Sequence, residues 1–171
     1  MSSPNTTEAS LAKAGQGAEE MFERLAIREL LENWVVWRDA GDWDRFATVW
    51  HDDGYMNATW CEASAEQFIA NCRKTFDAGN ISIHTLGGSN IQVNGMRAVA
   101  QTKMQLTFPI EVHGVRVIET CLGRFVDALE KRNNKWGMVL RQPIYELDWF
   151  TLEDPSAELK LDATFLSSFP M

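Results

Sequence analysis

Three tight turn signals at near-even spacing constrain this chain more than any other feature. Asn94-Gly95, His113-Gly114 and Asn133-Asn134 separate four strand-like runs, at about 81–93, 97–112, 115–130 and 135–149. Two-residue turns join antiparallel neighbours, so the second half of the chain is expected to form a four-stranded meander. Asn94-Gly95 is the strongest hairpin signal of the three. Pro109 lies inside the second run; it has no N–H to give a ladder, so it implies a bulge or an edge position. Gly87-Gly88 is a bare pair within the first run and reads as a bulge, not as a phosphate cradle.

The first half carries the helical period. From Ala18 to about Arg38, the residues Met21, Phe22, Leu25, Ile27, Leu30, Leu31, Trp34, Val35 and Trp37 recur mostly at i, i+3 and i+4, which predicts a long helix. Gly41 ends it. Asp42 is a natural N-cap for a short second helix ending near His51-Asp52-Asp53-Gly54. Tyr55 to Trp60 reads as a short strand. Ser64 caps a third helix, with Gln67 completing a capping box and Gly79 just past its end. Helices followed by a meander predict an α+β cone: about three helices packed on a strongly curved, mostly antiparallel sheet. Residues 1–17 are expected to be a flexible arm and 18–150 a single domain. Residues 151–171 are expected to pack as a flap, because Leu152, Leu159, Leu161, Phe165, Leu166 and Phe169 are too apolar to stay exposed.

Composition removes several function classes. At 171 residues the chain can bury its own core. A net charge of −8 argues against broad nucleic-acid binding and against an anionic membrane surface. No apolar run reaches the ~18 residues of a membrane span. Three cysteines without a CxxC pair support neither a zinc ribbon nor a redox motif. With no signal peptide visible, the cytoplasm is the expected location. His51, Asp52, Asp53 and His113 lack metal-ligand spacing, and no metal or cofactor is expected. Seven Trp and nine Phe are more rings than a core of this size ordinarily uses, so some are expected to line a pocket for a flat hydrophobic ligand.

The chemistry rests on Asp39 and His84. Asp39 lies in Trp37-Arg38-Asp39-Ala40-Gly41-Asp42-Trp43-Asp44, where one helical pattern gives way to another. His84 lies in Ile81-Ser82-Ile83-His84, at the start of a strand. A carboxylate that orients an imidazole and supports its charge makes a general base. With the Ile27-Arg28-Glu29-Leu30-Leu31 helix and the late Lys135-Trp136-Gly137-Met138 strand, these segments resemble the SnoaL-like branch of the nuclear transport factor 2-like superfamily over roughly residues 20–150. Within it, scytalone dehydratase, hexachlorocyclohexane dehydrochlorinase and bile-acid 7α-dehydratase are similar in placing an aspartate after the first helix and a histidine on the strand after the third. The resemblance implies that His84 removes a proton, that Asp39 stabilises the imidazolium, and that a group departs from the neighbouring atom. The pattern departs from those enzymes at the acid. Arg38 stands where scytalone dehydratase has a tyrosine, Ile110 near its second histidine, Gly123 and Phe125 near its Ser/Asn pair, and Trp34 near the bile-acid enzyme's tyrosine.

The expected function is therefore a cofactor-independent lyase. It would release water or another small group, including an aldehyde, from a small hydrophobic or aromatic substrate. A polyketide-type cyclase or isomerase and a non-catalytic ligand-binding or partner subunit share the fold and stand as alternatives. The substrate is expected among Trp34, Trp37, Phe68, Phe108 and Phe125. Strand alternation adds Glu119 and Cys121, and Tyr145, Tyr55 and Asn57 are further polar donors. The same alternation places Arg124 and Arg141 on the outer face. Burial of that outer face in a homodimer or homotrimer is expected, with no nucleic-acid or membrane partner. The Asp39–His84 coupling is expected to raise the His84 pKa if it outweighs desolvation.

Overall fold

A computed structural model describes the backbone of residues 6–158 and the side chains of residues 18–158. The elements follow in the order α1 (Thr6–Asp39), α2 (Trp43–Ala47), β1 (Trp50–Ala58), β2 (Cys61–Ser64), α3 (Ala65–Asp77), β3 (Ile83–Asn94), β4 (Arg97–Val112), β5 (Val115–Arg132) and β6 (Lys135–Leu152). One sheet has the order β2-β1-β6-β5-β4-β3, antiparallel except where β1 runs parallel to β6. This is the α+β cone that the meander predicts. The helix α1 starts at Thr6, ahead of Ala18, so residues 6–17 of the expected arm are helical. The second helix is shorter than expected, because His51 to Gly54 already belong to β1. The expected flap falls largely on residues 159–171, outside the described residues.

Local chemistry sets these boundaries. The three turns contain left-handed backbone at Gly95, at His113 and Gly114, and at Asn133 and Asn134. Positive φ at both central residues gives the last two the twist that a two-residue hairpin needs. In the first turn Asn94 still pairs with Arg97, so Gly95 and Met96 form the loop. Asp42 caps α2 by accepting from the Arg45 N–H, and Ser64 caps α3 by accepting from the Gln67 N–H. The capping box is only half made, because the Gln67 side chain donates forward to Asn71. Pro109 lies beyond the last β3–β4 pair, Ile83↔Thr107, so its missing N–H faces no partner strand, and β4 continues without a bulge.

The sheet curls where its register slips: between Leu86 and Ser89 on β3, beside Leu122/Gly123 and Ala128/Leu129 on β5, and between Trp50 and Tyr55 on β1. Arg28 of α1 staples the first slip by donating to the Gly87 carbonyl at 3.0 Å and to the Ser89 hydroxyl. The concave face packs Ala98, Ala100, Met104, Phe125, Leu129 and Met138 against Ile27, Leu31 and Trp34 of α1 and Phe68 of α3. Each fully buried large apolar side chain contributes roughly 1.5–3 kcal/mol.

At the second slip, β5 and β6 approach so closely that a Cβ on Gly123 would lie 2.1 Å from the Ile144 carbonyl oxygen. Backbone cannot yield as a flexible side chain can. Gly123→Ala is expected to cost about 1–3 kcal/mol or more, read as a lower urea midpoint with an unchanged slope.

Candidate active site

Asp39 ends α1. Gly41, at φ +70°, turns the chain there against the Phe76 ring and fixes where the carboxylate points. His84 is the second residue of β3. The carboxylate grips it twice: Oδ2 accepts from the His84 backbone N–H at 2.6 Å, and Oδ1 lies 2.8 Å from His84 Nδ1. An ionised carboxylate only accepts, so Nδ1 carries the proton and Nε2 keeps its lone pair; this tautomer is assigned from the hydrogen-bond network. Arg38 Nη1 donates to Asp39 Oδ1 at 3.3 Å and to the Ser82 hydroxyl at 2.6 Å.

Rings and a buried ion pair enclose the imidazole. Trp34 meets it edge-on at 5.5 Å, and Phe125 lies at 6.3 Å. Trp34 also stacks on Phe68 at 6.1 Å. Arg141 lies 4.3 Å from the Trp34 ring centre and 4.0 Å from that of Phe125. Its Nε and Nη2 bind Asp127 at 2.7 and 2.9 Å, with both side chains at 0% exposure. Its Nη1 is buried without an acceptor. The expectation that Arg141 faces outward is therefore wrong. Asp127 pairs directly with Arg141 across β5 and β6, and Asp127 shares its face with Phe125. Arg124 does lie on the outer face, paired with Glu146.

The remaining expected residues divide. Phe68 is fully buried, and Cys121 and Phe125 nearly so. Phe108, Glu119 and Phe150 form one row across β4, β5 and β6, adjoining the row His84, Leu106, Cys121 and Asp148. Cys121 Sγ donates to Glu119 Oε1 at 3.4 Å. Tyr145 is on the same face, and its hydroxyl accepts from Trp60 Nε1 at 3.2 Å. Three expected residues lie elsewhere: Trp37, Tyr55 and, by the same β1 alternation as Tyr55, Asn57. Trp37 points away from His84 into a groove of about 420 Å³ between α1 and the β5–β6 turn, with Phe22, Leu30, Lys131 and Trp136. Tyr55 is 40% exposed on the outer face, because the β1 alternation turns Met56 and Ala58 inward. Ser82, Trp60, Asp127 and Asp148 gave no signal in the sequence, and Arg38 stood out there only as a departure from the scytalone dehydratase pattern. No cluster able to hold a metal ion occurs among the described residues.

Burial lowers the His84 pKa below 6.5; the Asp39 hydrogen bond opposes this, and the Arg38 and Arg141 charges add to the lowering. The expected upward shift does not occur, because desolvation and two cations outweigh one carboxylate. Burial raises the pKa of Glu119, the Asp148 charge adds to this, and the thiol hydrogen bond opposes it. The Cys121 thiol is pushed up to about 12 by burial and by Glu119.

A SnoaL-like domain pattern matches residues 19–142, and the chain belongs to that family. It is 32% identical to pea pathogenicity protein 2 of Fusarium vanettenii over 171 aligned positions, covering 98% of this chain and 73% of that protein. A type 2 hexachlorocyclohexane dehydrochlorinase shares the fold with a TM-score of 0.69 at 14% identity, over 84% of this chain and 97% of that one. A candidate scytalone dehydratase of Novosphingobium aromaticivorans does so with a TM-score of 0.65 at 13% identity, over 82% and 97%.

The site predicts its own titration. The imidazole should remain neutral, with the proton on Nδ1, as pH falls through 6.5, the value at which an unshifted histidine protonates. The unfolded chain takes up that proton first. His84 therefore has no effect on stability well above this pH and lowers stability as pH falls below it, until the folded ring protonates too. Nitrogen-15 spectra of the histidine ring against pH check both points. A ring that protonates above 6.5 would contradict the balance of charges described.

Proposed function

We propose that this protein is a cofactor-independent lyase in which His84 Nε2 takes a proton from a small aromatic substrate while a small group departs from the neighbouring atom. The observation that carries this reading is the double grip of Asp39 on His84. It fixes the tautomer, aims Nε2 away from the carboxylate, and needs no further group to make a base. A depressed pKa keeps that base neutral at physiological pH. The Arg38 and Arg141 charges that oppose an imidazolium favour an anion, so they support enolate or alkoxide character in the substrate. The inner-face row Phe108, Glu119 and Phe150, with Phe125 and Tyr145, supplies flat apolar walls for an aromatic substrate and polar groups to orient it.

The aryl aldol 4-hydroxy-4-phenylbutan-2-one tests this reading. Proton removal from its carbon with loss of water gives 4-phenylbut-3-en-2-one. Proton removal from its hydroxyl with carbon–carbon cleavage gives benzaldehyde and acetone. His84→Ala is expected to lower either turnover by the ~10²–10⁴-fold of a lost general base. Asp39→Asn should be comparably severe, because an amide can present an N–H to the ring and disturb its tautomer. Circular dichroism should show both variants folded. Wild-type turnover in folded His84→Ala, or a wild-type protein that accelerates neither reaction, would defeat the proposal.

A homo-oligomer is part of the same reading. Leu147 and Trp149 are exposed on the convex face, beside half-buried Leu122 and Ile144. A contiguous apolar patch of this kind favours a self-complementary contact. Light scattering at micromolar concentration should show a dimer or trimer, and Leu147→Lys should shift it toward monomer.

A further inference from the structure

The proposed base has no stated counterpart to protonate the departing group. We infer that Glu119 is that acid: it enters the cycle protonated and delivers its proton to the leaving oxygen from the side of the pocket opposite His84. This rests on reading His84 as the base.

Glu119 projects from the concave face of β5 between two rings, Phe108 on β4 and Phe150 on β6. His84 lies two strands away, in the adjoining row. Two strand spacings and one same-face row separate their backbones by ~12 Å, a span that one aromatic substrate between the two side chains would bridge.

The hydrogen bonding is equally directive. Cys121 donates its S–H to Glu119 Oε1. That makes Oε1 the accepting oxygen and leaves Oε2 to carry a proton. No Lys or Arg pairs with Glu119 among the described residues. The groups that do face it are Cys121 on its own strand and Asp148 on β6, with Tyr145 near both Glu119 and Arg38. A second carboxylate and a neutral thiol disfavour a negative charge on Glu119, in keeping with its raised pKa.

The step balances. His84 Nε2 takes a proton from the carbon next to the substrate carbonyl, and the C–H pair becomes the new carbon–carbon double bond. The C–O bond breaks with its pair on oxygen, and the Oε2 proton passes to that oxygen, releasing water. An imidazolium and a Glu119 carboxylate remain. Solvent takes the proton from the first and returns one to the second, and the nearby Asp148 charge favours that return.

Two measurements test the assignment. In a pH titration followed by infrared difference spectroscopy, wild type should keep a protonated-carboxyl carbonyl band above pH 4.5, the ordinary value for this side chain. Glu119→Gln should remove that band, and Glu119→Asp should move it. In turnover, Glu119→Gln should lose ~10²–10⁴-fold on 4-hydroxy-4-phenylbutan-2-one. Its loss on 4-chloro-4-phenylbutan-2-one should be at least ten times smaller, because chloride leaves without a proton. A band that titrates away at the ordinary value, or equal losses on the two compounds, would overturn the acid role. Failure of the base reading would look different: folded His84→Ala would then retain turnover of the chloride.

Discussion

The structure turns on one buried ion pair. Arg141 and Asp127 are both fully buried, joined by two hydrogen bonds and set between the rings of Trp34 and Phe125. Burying two such charges costs several kcal/mol per ion before any return, so the pair persists only where its geometry is good. Here each charge has its partner and the cation has two aromatic faces. The pair locks the β5–β6 register, because Asp127 and Arg141 are direct cross-strand neighbours. It also ties that register to the helices, because Trp34 touches Phe46 of α2, Phe68 of α3 and His84 of β3. A slip of one residue would turn the guanidinium out of the core and leave Asp127 buried alone, at a cost of about 3–5 kcal/mol.

At the imidazole, burial dominates and the Arg141 charge adds a smaller push in the same direction. A surface Asp–His pair ordinarily raises the histidine pKa. In this core, burial and two guanidinium groups reverse the sign. Asp39 therefore acts on His84 chiefly through geometry: it holds both the backbone N–H and the ring, and it selects the tautomer. The environment trades basicity for a ring that is still neutral, and correctly turned, where a free histidine would begin to protonate.

Much of this was legible in the sequence, for local reasons. Turn residues, caps and period marked the hairpins, and Asp39 and His84 were found from the segments that flank them. The errors arose where non-local pairing decides. Unbroken strand alternation turned Arg141 outward. Arg141 is buried only because Asp127, on a strand whose register slips twice, lies opposite it. Tyr55 was misplaced because β1 begins earlier than its apolar run implies and takes its facing from a parallel pairing with β6. Trp37 was grouped with Trp34 although three residues on a helix differ by ~60° around the axis. That rotation carries Trp37 from the imidazole to a separate groove. The direction of the His84 pKa depended first on how deeply the ring is buried, which the sequence around it does not show.

On the proposed reading, the cone is polarised along its depth. Arg141 is fully buried, while Glu119 is half-buried and Asp148 exposed, one or two rows farther along the same inner face than Gly123. His84 lies between Arg141 and Glu119, in the row of Cys121 and Asp148. A substrate entering this gradient is oriented by charge before any specific contact is made. The end that becomes anionic is drawn inward, toward the guanidinium. The end that must gain a proton remains outward, beside an uncharged carboxyl. The bond to the departing group then lies between a base and an acid whose pKa values are moved toward each other, His84 downward and Glu119 upward. Burial moves both, because it disfavours the charged form of each. Burial on the inner face of the sheet therefore prepares base and acid together, in the protonation states an elimination requires.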